Sequence, residues 1–292
     1  MFWPDLKDEK MTLCVGWVRK IKDTEQICMI ADSCVTGGQK FLATPKLFPL
    51  KRGDCAIACA GLTEYSFPIV THLTRAMEIN GPVNDLAKDF LDIIHLIVDI
   101  TNKCLAEEQD VLSYNPSFSM MLCGFSWKRK APYLFKIVYD KNLRRMRHCS
   151  VRTILGNQVA VIGDKNIIPM ARKAIFDAVA PDGKNIHRPI DMQPLDVLMG
   201  IINNPEYRSI GGHPQMLKIY PFFKVLPIGL KSVNDTIIYY FGRPLLSYET
   251  FPYPIMEIET KMIKYMKLTA DEFERRRECV GPLTQFGDAE MD

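Results

Sequence analysis

Met11-Thr12-Leu13-Cys14-Val15-Gly16, Ile30-Ala31-Asp32-Ser33, Ala43-Thr44-Pro45-Lys46-Leu47-Phe48-Pro49-Leu50 and Ala58-Cys59-Ala60-Gly61 are the stretches whose reading decides the fold. The first opens an apolar-rich run over 12–19 (TLCVGWVR), and the second closes another over 26–32 (QICMIAD). The charged stretch KIKDTE lies between them, which is a hairpin signal. Gly37-Gly38 marks a loop. Short strands are predicted over 41–50 and 54–60, the second ended by Gly61.

Outward from this cluster the periodicity changes. A helix is predicted over about 63–79. After the breaker Gly81-Pro82, a longer one is predicted to run to about 109. Its residues Leu86, Phe90, Ile93, Ile94, Ile97, Ile100 and Cys104 recur at three- and four-residue intervals and make one buried face. Strands are predicted over 117–125, 133–140, 144–151 and 158–163, helices over about 166–179 and 192–203, and strands over 215–226 and 235–241. The remainder is rich in proline and charge and reads as an extended tail with a helix near 269–278. Strands, two helices, strands, two helices, strands is an order that a four-layer αββα sandwich satisfies, since each sheet must bury both faces. The fold class expected is therefore α+β.

Composition narrows the function. The 292 residues are 47% hydrophobic, with mean hydropathy near zero, enough for one large core with appendages. Lys+Arg (37) nearly balances Asp+Glu (34), which argues against a nucleic-acid binder. The runs Lys128-Arg129-Lys130 and Arg144-Arg145-Met146-Arg147 are short and read as charged turns. The first ten residues lack an apolar core of signal-peptide length, and no window approaches the roughly 18 apolar residues of a membrane span. Nine cysteines without CxxC pairs, several in apolar runs, suit buried thiols in a reducing compartment. Five scattered histidines form no metal-ligand pattern. The expectation is a soluble, cytoplasmic protein without metal or cofactor.

Taken in order, the four opening stretches resemble the N-terminal half of proteasome β-type subunits and of the bacterial proteasome-like peptidase that works with an unfoldase. In those families a Thr-Thr-x-Val-Gly start is followed by Ala-Asp-Ser, a Lys-hydrophobic pair and an Ala-rich strand ending in Gly. The resemblance runs through roughly 12–245, with its specificity mainly in 12–63. It implies the N-terminal-nucleophile (Ntn) hydrolase fold, with 1–11 as a leader, 12–245 as the hydrolase domain and 246–292 as a C-terminal extension. It also implies a threonine-type amidohydrolase, a peptidase acting through an acyl-enzyme. A threonine hydroxyl needs a base within hydrogen-bond reach, and in this family its own α-amine serves. Carried over, Thr12 is nucleophile and base, Lys46 the electrostatic activator, Asp32 the group that orients Lys46, and the Gly61 N–H the oxyanion donor.

Farther along, Gly163-Asp164 falls where the family has Gly-Ser-Gly, so Asp164 replaces a supporting serine. Glu206 and Ser209, in NPEYRSIGG, keep the family's acid–serine spacing with Glu for Asp and one extra residue before the glycines. The resemblance further implies a peptide or amide substrate, a homo-oligomer and an ATPase or unfoldase partner. The alternative is a non-catalytic subunit serving as an assembly or partner-binding scaffold. Activity requires a free amine on Thr12. Met11 stands where self-cleaving relatives carry glycine, so translation from Met11 followed by removal of that methionine is the expected route.

Overall fold

A computed structural model describes residues 12–36, 39–107, 118–183, 188–207, 209–222 and 224–265. β1 (Leu13–Ile21) and β2 (Thr24–Ala31) form the expected hairpin, in register from Cys14 opposite Ala31 to Ile21 opposite Thr24. β3 (Leu47–Pro49) and β4 (Cys55–Gly61) follow, then helices α1 (Thr63–Ile79), α2 (Gly81–Asn84) and α3 (Phe90–Ala106). Next come β5 (Phe118–Ser126), β6 (Ala131–Asp140), β7 (Arg145–Ser150), β8 (Thr153–Ile154) and β9 (Asn157–Gly163). Helices α4 (Ile167–Val179) and α5 (Gln193–Ile202) precede β10 (Gln215–Tyr220), β11 (Lys224–Lys231), β12 (Tyr239–Tyr240), β13 (Arg243–Pro244), β14 (Pro254–Glu257) and β15 (Ile263–Tyr265).

The result is a mixed, sheet-dominated fold with two sheets. The larger has the order β13-β12-β11-β10-β2-β1-β9-β8, with β14 joined to β11 and β15 to β14; the smaller has the order β3-β4-β5-β6-β7. All pairings between named strands are antiparallel except β11 with β14, which is parallel.

Period-two alternation explains the packing. On β1, Leu13, Val15 and Trp17 point to a cluster that includes Ala171 and Ile175 of α4 and Leu195 and Leu198 of α5. Cys14 and Val18 point the other way, into a cluster shared with Ala56, Ala58 and Ala60 of β4 and Met121 of β5. The opposite side chains of β4, Cys55, Ile57 and Cys59, meet Ile69 and Leu73 of α1 and Phe90, Ile94 and Ile97 of α3. On β4 the small alanines thus face the other sheet, and the larger side chains face the helices.

Several elements differ from expectation. The long helix is broken: Leu86 adopts φ 60°, and a capping box between Asp89 and Asp92 starts α3 afresh. The buried face of α3 runs through Phe90, Ile94, Ile97, Thr101 and Leu105, so Ile100 and Cys104 flank it and are only half-buried. The stretch 215–226 forms two strands, β10 and β11, because the chain reverses so that Tyr220 faces Lys224. Of 41–50 only Leu47–Pro49 is a strand, and Phe41 makes an isolated bridge to Val35. Residues 246–265 contribute β14 and β15, which periodicity did not reveal. The leader 1–11 and the helix expected near 269–278 lie outside the described residues. Among the described residues no helix is long and apolar enough to cross a membrane.

Candidate functional site

Three strand ends converge where β1 begins. β1 lies between β2 and β9, with Leu13 opposite Gly163 and Cys14 opposite Ala31. Thr12, the residue just before β1, is therefore flanked by Asp32 at the end of β2 and by Asp164 after β9. Its carbonyl accepts the Asp164 N–H at 3.0 Å. Gly163 permits this approach: its φ is +142°, and a Cβ there would stand 1.8 Å from the Thr12 oxygen.

Asp32 is fully buried and its carboxylate accepts four bonds. Oδ1 takes the Leu13 N–H at 3.0 Å and Lys46 Nζ at 2.7 Å; Oδ2 takes the N–H groups of Cys34 (3.1 Å) and Gly211 (3.3 Å). Lys46 is also buried, and its ammonium has three acceptors for three N–H bonds: Asp32 Oδ1, the Cys34 carbonyl at 2.6 Å and Thr12 Oγ1 at 3.3 Å. Two of the three bonds thus tie Lys46 to the chain around Asp32, and the third falls on the threonine hydroxyl. The nearby Cys14 thiol is pushed up to about 12, chiefly by burial against a lowering effect of Lys46. It stays protonated, donating to the Cys59 carbonyl at 3.4 Å.

Lys46 thus bonds directly to both Thr12 and Asp32. Gly61 closes β4, two residues beyond Cys59, whose N–H donates to the Lys46 carbonyl at 2.9 Å. Asp164 touches Thr12 only through its backbone N–H in the bonds described; its Oδ1 accepts from Asn166 N–H at 2.6 Å in the turn into α4. Ser209 is buried with its Oγ unpartnered among the described residues, in the loop whose Gly211 reaches Asp32. Glu206 is exposed, and its N–H bonds to Asn204 Oδ1 at 3.0 Å. A cavity of about 450 Å³ opens beside Thr44 and Pro45 and is walled by Val35, Phe41, Thr63, Glu64 and Phe67. A second, of about 440 Å³, lies between α1 and α3, lined in part by Tyr65, His72 and Cys104. Among the described residues no group of His, Cys, Asp and Glu is placed to hold a metal ion.

Sequence reasoning missed Gln215 and the Cys34 carbonyl. The first is a buried amide whose only signal was its place at the start of a strand after two glycines. The second is main chain and has no residue-type signal.

No family model and no curated protein matches the chain. Solved structures do. Anbu (ancestral beta-subunit) from Yersinia bercovieri is 14% identical with a TM-score of 0.52, over 74% of this chain and 87% of that one. The Gly-1 mutant of Anbu from Hyphomicrobium sp. strain MC1 is 16% identical with a TM-score of 0.51, over 73% and 84%. Anbu from Pseudomonas aeruginosa, described in a helical assembly, is 17% identical with a TM-score of 0.52, over 82% and 88%. These matches correct the resemblance to proteasome β-type subunits: the fold is like that of the Anbu proteins, which are proteasome-like but distinct. At such identities the likeness is one of fold alone.

Proposed function

We propose that the chain is a threonine-type N-terminal-nucleophile amidohydrolase, a peptidase working through a Thr12 acyl-enzyme. The observation that carries this reading is the 3.3 Å contact from Lys46 Nζ to Thr12 Oγ1, made by an ammonium whose other two bonds are committed to Asp32 and Cys34. Three stacked apolar clusters, helix on sheet, sheet on sheet and sheet on helix, support the four-layer αββα sandwich of the Ntn type. In this reading 12–245 is the hydrolase domain, 1–11 a leader and 246–292 an extension.

With the Thr12 amine freed, that amine takes the hydroxyl proton as Oγ1 attacks the substrate carbonyl, and Lys46 stabilises the developing alkoxide. The Gly61 N–H serves as donor to the tetrahedral oxyanion. The protonated amine then gives its proton to the leaving nitrogen, and water cleaves the resulting ester. The cavity beside Pro45 is bounded by Val35, Phe41 and Phe67, which favours a peptide with an apolar side chain next to the cut.

A second reading, a non-catalytic assembly subunit, draws support from Asp164. It stands where a serine would support the amine, and its carboxylate is bonded into the α4 turn. An epoxyketone that requires both hydroxyl and free amine separates the two. A chain beginning at Thr12 is expected to be labelled and to turn over fluorogenic peptides, with both lost in Thr12→Ala. Absence of labelling in a chain shown by N-terminal sequencing to begin at Thr12 would overturn the peptidase reading and favour the scaffold.

A further inference from the structure

We infer that Gln215 is the positioning residue that fixes Lys46 against Thr12. This inference rests on the site just proposed and names a residue that neither motif nor spacing assigns. Gln215 opens β10, opposite Ala31 of β2, and is 1% exposed. Its Oε1 accepts the Lys46 N–H at 2.9 Å. Its Nε2 donates to the Asp32 carbonyl at 3.1 Å and to the Thr44 carbonyl at 2.6 Å. One acceptor and both donors of a primary amide are therefore used, on three separate points of main chain.

Those points matter because of what they hold. Asp32 and Lys46 form the buried ion pair, yet each side chain is only as well placed as its backbone. The Lys46 peptide unit is gripped from both sheets: Gln215 takes its N–H from the large sheet, and Cys59 of β4 donates to its carbonyl from the small one. The turn between β12 and β13 covers this junction. Gly242 has φ +85°, and a Cβ there would stand 2.3 Å from Ser33 Cβ and 3.4 Å from Gln215 Nε2, so only bare main chain fits. Water is thereby kept from the three bonds, which in a dry site resist exchange with solvent.

Two substitutions separate the amide's parts. Gln215→Met keeps length and volume but removes all three bonds. Gln215→Glu keeps an acceptor for the Lys46 N–H and removes both donors, turning an oxygen toward two carbonyls. Crystal structures of the full chain carrying each change, beside wild type, read position directly. The expected result is a Lys46 Nζ to Thr12 Oγ1 separation opened beyond hydrogen-bond reach in both variants, with the two sheets otherwise superposable. In protein purified from its native host, the epoxyketone labelling rate of both variants is expected to fall by about a hundredfold, the scale of a misplaced catalytic group. An unchanged Lys46–Thr12 contact in both variants overturns the inference, whatever happens to melting temperature. So does a moved contact with undiminished labelling, or a Gln215→Glu chain that fails to fold, since the residue would then serve the fold alone. If wild type is not labelled while the contact moves in the variants, the peptidase reading fails and the positioning role stands.

Discussion

Asp32 carries four accepted bonds and no exposure, so its charge has been fully exchanged from water to protein. Removing one member of such a pair strands the other. Asp32→Asn is accordingly expected to lower stability by about 3–5 kcal/mol, read by urea unfolding, because it leaves the Lys46 cation buried without a counter-charge. A loss under about 1 kcal/mol would show that Cys34 and Thr12 suffice to hold the ammonium. The three contacting residues were legible because they sit in short local strings, each near a strand end where the chain's patterning changes. Gln215 was not legible: it bonds to main chain 183 residues earlier, and no spacing rule links a side chain to a carbonyl across that distance. Glu206 shows the reverse. Its spacing to Ser209 suggested a role, yet local chain geometry turns it outward.

At the scale of elements, the junction of β1 and β9 depends on one glycine. Gly163→Ala would place a Cβ into the Thr12 carbonyl and hold alanine at φ +142°. The expected cost is about 2 kcal/mol or more, with loss of the Asp164–Thr12 bond. Thermal melting and the labelling rate at Thr12 are expected to fall together; an unchanged melt would mean that the strand end yields freely. The β12–β13 hairpin offers a pH test. Arg243 makes two bonds to Glu249, at 2.7 and 2.5 Å, and Leu246 N–H adds a third at 2.8 Å. Led by the Arg243 bond, these pull the Glu249 carboxyl from 4.5 to about 2. A carboxylate lowered on folding stabilises the fold above its unfolded value and ceases to do so as pH falls through its folded one. Hydrogen-exchange protection at Leu246 is therefore expected to decline between about pH 4.5 and 2, and Arg243→Gln, which removes the largest cause of the lowering, is expected to flatten that decline. The same hairpin marks a limit of periodicity as a guide: two-residue strands such as β12 and β13 are too short to show alternation.

For the whole molecule, the order of strands and helix pairs was enough to anticipate a mixed fold dominated by antiparallel sheets, because few layer arrangements bury every apolar face. What the order could not give is β14 lying parallel to β11, a pairing fixed by where the chain returns rather than by any local preference. Exposed Tyr248, Met262, Ile263 and Tyr265 lie along this last part of the chain. If the protein assembles with copies of itself, as the sequence reading expects, light scattering of the native protein is expected to give a mass of several chains; a monomer would contradict it. The topology also sets an order in time. β1, which bears Thr12 at its head, is synthesised first but lies between β2 and β9, and its second neighbour emerges only with residues 157–163. Gln215 appears later still. A ribosome-bound chain can pair Asp32 with Lys46 early, since domains gather from the N-terminal side as they are made. It cannot seat the head of β1 until residues 157–163 are out, so a nascent or truncated chain carries Thr12 without the frame that holds it against Lys46.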